Sequence, residues 1–204
     1  MSENIRDLGR VKLVQVQPDG LIIETPSGYF YDASRLVEVD SLTITSLGIE
    51  ADTLEGEHVL DIHHIDHPDK AYDNDDLVSI GFTSHYQAMR AHFGEHMVDG
   101  IAGENIIIEY EPEVWLDDLY QQIAFENANT GRLARLDVVS YAAPCEEFSH
   151  FAARSQDKRL PAAKLKSILQ FLGNGRRGFL LVLSDDQEPA TVRSGDRVFA
   201  VSTG

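Results

Sequence analysis

The sequence predicts a mainly β barrel or sandwich with a few short helices. Three observations point there: short runs rich in β-branched residues, turn residues between them, and only brief stretches of helical periodicity. In order, Arg10 to Val16 alternates in patches, and Leu21 to Glu24 follows the turn Pro18-Asp19-Gly20. Leu42 to Leu47 is a third β-rich run. Glu55 to Asp76 is rich in His, Asp, Pro and Asn, which is loop composition. Ser84 and Gln87 form a capping-box signature for a helix over His85 to Phe93, with Tyr86, Met89 and Phe93 on one face and Gly94 as its stop. Ile106 to Ile108 and Leu136 to Val139 read as strands, followed by a second helix from about Glu146 to Arg154. A third helix begins with Pro161 in its first turn, aligns Leu165, Ile168, Leu169 and Leu172, and ends at Gly173. Gly178 to Leu183 and Arg197 to Val201 return to β. The helices are expected to plug or cover the barrel.

The 204 residues carry no linker composition, so a single domain spanning 1–204 is expected. Hydrophobic residues at 43% and charged residues at 25% exclude disorder and fibrous states. With 34 acidic against 17 basic residues the formal charge is −17, which argues against nucleic acid as a partner. A small anionic ligand is compatible with local lysines and arginines. No apolar run suits a membrane span or a signal peptide, and one cysteine forms no internal disulfide, so a cytoplasmic location without membrane partners is expected.

That cysteine, Cys145, is the strongest candidate for reactive chemistry. It lies in Tyr141-Ala142-Ala143-Pro144-Cys145-Glu146-Glu147-Phe148, between a strand and the start of a helix. Free backbone N–H groups and the helix dipole at such a junction favour nucleophilic or metal-ligating sulfur, although Glu146 and Glu147 oppose this. The plainer reading is a small buried side chain, common for lone cysteines. His58, His63, His64 and His67 with Asp61, Asp66 and Asp69 resemble a scattered metal site. Their spacing fits no zinc motif, and a solvated acidic loop is the better reading.

Five stretches in order resemble the MOSC family, the modules named for the C-terminal part of molybdenum cofactor sulfurases. They are Ser46-Leu47-Gly48-Ile49-Glu50-Ala51-Asp52, Gly100-Ile101-Ala102-Gly103-Glu104-Asn105, Pro144-Cys145, Gly175-Arg176-Arg177-Gly178-Phe179 and Ser194-Gly195-Asp196-Arg197-Val198. The resemblance implies a MOSC-type β-barrel that holds the molybdenum cofactor, molybdopterin, with Cys145 as the molybdenum ligand. It also implies an oxidoreductase that reduces small N-hydroxylated compounds. Two alternatives remain: a non-catalytic cofactor carrier, and sulfur transfer through a Cys145 persulfide. No flavin, haem or iron-sulfur motif is present, so an enzyme would take electrons from a separate electron-transfer protein. Reductases of the family often carry an extra domain, expected to be absent here, which keeps the carrier reading open.

By the same resemblance Gly103, Glu104 and Asn105 would contact the cofactor, their plainer reading being a turn before Ile106. Arg176 and Arg177 would grip the pterin phosphate, against solvated arginines in a hairpin. At least one of the two should share the concave site of Cys145. Family members often carry His-Gly-Gly and a basic residue before the first helix, where this chain has His64-Ile65-Asp66-His67-Pro68-Asp69-Lys70-Ala71. His67 or His64, with Lys70, matches that pattern, and His67 and Lys70 are the cofactor-binding candidates. The double glycine is absent, and Asp66 and Asp69 disfavour a phosphate. Ala51 replaces a usual glycine.

Overall fold

The computed structural model describes residues 4–26, 28–70, 78–156, 158–184 and 187–202. Seven strands form the first third: β1 (Asn4–Val16), β2 (Ile22–Thr25), β3 (Gly28–Tyr31), β4 (Val37–Val39), β5 (Ser41–Thr45), β6 (Gly48–Asp52) and β7 (His58–Leu60). Then come β8 (Val78–Phe82), helix α1 (Thr83–Phe93), β9 (Ile106–Glu109), β10 (Gln122–Glu126) and β11 (Leu133–Tyr141). The last part holds α2 (Glu146–Ala152), α3 (Ala162–Leu172), β12 (Phe179–Leu183), β13 (Ala190–Arg193) and β14 (Arg197–Ser202).

The order β14-β10-β11-β12-β8-β9-β1 closes on itself through a β14–β1 pairing, giving a seven-stranded barrel with β4 added alongside β1. Closure depends on the length of β1. Its first residues pair with β14, its middle with β9 and its end with β4. The register slips between Asp7 and Arg10, where Gly9 adopts φ +92° and a Cβ would lie 2.2 Å from the Glu109 carbonyl oxygen. Only glycine lets the strand pass that close and change partner.

Every pair in the barrel is antiparallel except β8 with β9, which runs parallel, so α1 serves as the crossover between them. The triplet at β9 divides its side chains as a strand must. Ile106 and Ile108 join the interior with Ile80, Phe82, Ile123, Phe125, Leu136 and Phe179, whereas Ile107 faces the helices. A second sheet, β13-β5-β6-β7, adds Leu42, Ile44, Ile49 and Val192 to the same interior.

Outside the barrel lies a smaller cluster in which Tyr86 and Met89 of α1, Phe148 and Ala152 of α2, and Ile168 and Leu172 of α3 pack with Tyr31 and Ile107. The helices therefore cover the barrel and do not plug it. We call this region the shoulder. No helix among the described residues is long and apolar enough to cross a membrane.

The local expectations need four corrections. The run from Leu42 to Leu47 breaks at Thr45, where a turn held by Leu47 N–H to Thr45 Oγ1 (3.0 Å) leads into β6. Ser84 does not cap α1. Phe82 holds that position without a side-chain bond, and Ser84 is buried as the second residue of the helix. Pro161 stands just before α3, as its N-cap residue, and not inside the first turn. The loop from Glu55 to Asp76 contains the short strand β7, and its residues 71–76, Ala71 included, lie outside the described residues.

Candidate functional site

A cleft of about 310 Å³ opens between the barrel and the shoulder. Gln17 after β1, Tyr31 of β3, His63 after β7, Gly103 and Glu104 before β9, Cys145 before α2 and Arg177 before β12 all line it. Each sits at the end of an element or beside one, where the chain leaves regular hydrogen bonding and side chains are free to converge.

Cys145 is half-buried on this cleft and serves as the N-cap of α2. The Phe148 N–H donates to its Sγ at 3.4 Å, and Ser149 donates to its carbonyl from both N–H and Oγ, at 3.1 and 2.7 Å. The backbone is thus fixed from two sides while the sulfur stays on the wall. The thiol lies on the cleft and not in the apolar core.

Arg177 places its guanidinium 5.1 Å from the Phe148 ring centroid and donates from Nη2 to the Ala102 carbonyl at 3.0 Å. Its Nε is buried without a hydrogen-bond partner. Arg176 goes elsewhere. Its guanidinium lies over Phe171 (4.4 Å) and Trp115 (5.3 Å), donates to the Phe171 carbonyl at 2.5 Å and pairs with Glu113 at 3.2 Å. A cofactor role for Arg176 is set aside, because its charge is already used to fasten the end of α3 to the segment around Trp115.

The Gly103-Glu104-Asn105 stretch is split three ways. Gly103 lines the cleft at φ +96°, and a Cβ there would lie 2.8 Å from Leu21 Cδ1, so the bend requires glycine. Glu104 is 2% exposed, and its Oε2 accepts a hydrogen bond from the Tyr86 hydroxyl while Oε1 has no partner. Burial pushes the Glu104 carboxyl up to about 7, opposed by the Tyr86 bond and by the positive charge of Arg177. Burial also pushes the Tyr31 and Tyr86 phenols well above their usual values. Asn105 does not line the cleft. Its Oδ1 accepts from Ser79 N–H (3.0 Å) and Oγ (2.8 Å), and its Nδ2 donates to Asp61 Oδ2 at 2.8 Å.

His67 and Lys70 are not on the cleft wall either. The His67 ring makes its Nε2 contact to the Pro18 carbonyl at 3.0 Å and accepts from Asp69 N–H through Nδ1 at 3.1 Å. Direct cofactor contact through His67 is therefore set aside. The loop that carries them is not simply a solvated acidic one, since Asp61 and His64 are buried. Among the described residues no three His, Cys, Asp or Glu side chains gather as a metal site.

Sequence reasoning weighed His63 only as part of a scattered metal site, and its ring Nδ1 meets Asp61 Oδ1 at 2.7 Å. The Asp-x-His spacing was visible; that His63 lines the same cleft as Cys145 was not. A larger hollow of about 510 Å³ beside Glu146, Glu147 and His150 shares no lining residue with the cleft and holds no thiol.

The profile of the MOSC domain matches residues 67–199, about two thirds of the sequence, and this span includes Gly103, Cys145 and Arg177. The chain belongs to the MOSC domain family. No characterised protein in a curated collection matches it. Among solved structures, the YuaD protein from Bacillus subtilis superposes with a TM-score of 0.59 at 12% identity, covering 100% of both chains. A structure described only as a hypothetical protein gives 0.51 at 17% identity, covering 95% of this chain and 67% of the other. At these identities the likeness is one of fold. The MOSC family is associated with the molybdenum cofactor.

The cleft residues fit that group. A soft metal with dithiolene sulfurs takes a thiolate as a further ligand, and the cleft presents a thiol. An anionic pterin needs a cation, and Arg177 stands there with a buried, unpartnered Nε.

Proposed function

We propose that this MOSC protein binds the molybdenum cofactor in the cleft and reduces small N-hydroxylated compounds, with Cys145 as the molybdenum ligand. The observation that carries the reading is the opening of Cys145 and Arg177 onto one cleft between barrel and shoulder. Cys145 would hold the metal, Arg177 would neutralise the pterin's negative charge, and Gly103 would let the chain bend away from the ligand. When bound, the cofactor would supply a two-electron reducing centre for the substrate's N–O bond.

The residues of the chain do the rest. Leu21, Tyr31 and Leu180 give the cleft an apolar side, which would exclude water around a small substrate. The Cys145 backbone is held by Ser149, so the sulfur is carried on an anchored backbone. Electrons would come from a separate electron-transfer protein.

The test is metal content and turnover. Protein from a cofactor-competent host should carry about one molybdenum per chain, Cys145→Ala should lose it, and reduced viologen should drive reduction of an amidoxime by the parent. Equal molybdenum in parent and Cys145→Ala would remove the ligand assignment. Molybdenum without turnover would favour a cofactor carrier.

A further inference from the structure

We infer that Glu104 sets the charge the cleft accepts: an anion settling against Arg177 brings a proton onto the Glu104 carboxyl, so the site does not hold two negative charges beside one cation. The fold makes room for this carboxyl. A Cβ at Gly81 would lie 2.8 Å from Glu104 Oε1, and one at Gly178 would lie 3.0 Å from Glu104 Cγ and 2.6 Å from the Ile80 carbonyl oxygen. These glycines flank the Phe179–Ile80 pair of β12 and β8 on one side, and Leu180 with Ser79, which line the cleft, flank it on the other. Side chains alternate along a strand, so the carboxyl lies on the same outer face of the barrel wall as the cleft, over a stretch stripped of side chains.

Room is provided, but hydrogen bonds are few. The Tyr86 hydroxyl accepts from Ala102 N–H (3.1 Å) and gives its own proton to Glu104 Oε2, while the buried Oε1 has no partner. An ionised carboxyl is stabilised by several donors and by nearby cations. Here that support is one phenol and Arg177, whose Nη2 is tied to the carbonyl of the same Ala102 at 3.0 Å. Burial opposes both and leaves the carboxyl near 7. The other ionisable groups around it are Tyr86 of α1, Tyr31 of β3, Asp99 in the segment before β9, and Cys145 and His63 on the cleft. Asp99 is already paired with Lys12 (2.7 Å) and Arg90 (2.8 Å), and burial holds the two phenols neutral.

Ionised Glu104 and Arg177 together carry no net charge. An added anion competes for the same guanidinium, and Glu104, left with a single donor, takes a proton from solvent. Where Glu104 is protonated before the anion arrives, below about pH 6, no uptake is needed; above that, uptake makes affinity fall as pH rises. The inference rests on the placement of an anion against Arg177 in the reading above, and needs neither molybdenum nor turnover.

Metal-free protein and sulfate, which stays ionised throughout, make the test. The carboxyl stretch that Glu104→Gln removes from the infrared spectrum should fade with a midpoint near pH 7 in the parent. Arg177→Gln should move that midpoint about 1 pH unit higher, and Tyr86→Phe should move it in the same direction. Calorimetry in two buffers of unlike ionisation enthalpy should show about half a proton taken up per sulfate at pH 7, with affinity falling about fivefold from pH 6 to 8. Glu104→Gln should bind sulfate without that uptake or that slope. A midpoint unmoved in Arg177→Gln, uptake that survives Glu104→Gln, or a parent that does not bind sulfate would overturn the inference. Uptake by a chain that acquires no molybdenum in a cofactor-competent host would support it and sink the reductase reading. One molybdenum per chain without uptake would do the reverse.

Discussion

Ile106 and Ile108 point into the apolar cluster of the barrel, while Ile107, between them, points to the apolar cluster of the shoulder, beside which polar groups are buried. The two regions share a strand and are built by different rules. In the barrel every side chain contributes by leaving water and filling space. Next to the shoulder, Glu104 Oε1 and Arg177 Nε are buried without hydrogen-bond partners, a condition that costs on the order of 1–3 kcal/mol per group. Such groups persist where the barrel supplies stability and the shoulder holds chemistry. The seam between them is where thiol, guanidinium and imidazole line one cleft.

The sharpest way to break this division is to injure each region separately. Ile108→Ala opens a cavity in the interior and should cost about 3–5 kcal/mol in denaturant unfolding, with molybdenum content unchanged in the protein that remains folded. If it removed the metal instead, barrel and cleft would be one unit.

Next in size is the pH dependence of Glu104. Its carboxyl lies near 7 folded against an unfolded value of 4.5, so the folded state holds the proton more tightly. That contribution is fully present below about pH 4.5 and is lost as pH rises through 7, an effect on the order of 3 kcal/mol. Thermal unfolding of Glu104→Gln should lack this decline between pH 5 and 8. His85, whose ring is pushed down to about 4 by burial, acts in the opposite direction, losing stability as pH falls from 6.5 through 4. Equal slopes in parent and Glu104→Gln would show that Glu104 is not the source.

The arginine pair sharpens the comparison at a smaller scale. Arg177→Gln should weaken cofactor retention at least about tenfold, roughly 1.4 kcal/mol, in a competition assay. Arg176→Gln should leave retention unchanged and lower stability by about 1 kcal/mol through loss of its aromatic and Glu113 contacts. Reversed results would mean that the wrong guanidinium has been assigned to the cleft. The smallest effect belongs to Cys145→Ala, which removes a weak cap and little buried volume. Its melting should fall by less than about 1 kcal/mol.

The sequence made the barrel legible through short β-rich runs, and α3 through the spacing of Ile168 and Leu172. It hid β10, where Gln122 to Glu126 follows an acidic stretch and looks like loop, and β13, which at four residues is too short for periodicity. In the site, the junction before α2 announced Cys145, since strand, proline and helix start are all local signals. Asn105 misled because its partner, Asp61, lies 44 residues away and becomes a neighbour only once β1 and β9 pair. Arg176 and Arg177 could not be told apart from spacing, because adjacent residues in a tight turn face different ways and only the packed aromatics decide which is claimed.

The pairing of Asn4 with Ser202 has a bearing on how the protein is made. During synthesis β1 emerges well before its seam partner β14. Until then the nascent chain carries an open sheet with a free edge, and the long-range contacts that seal it form slowly. Stalled or truncated products lacking β14 would display that edge to one another, so the cell has reason to degrade or chaperone them, whatever the cleft goes on to bind.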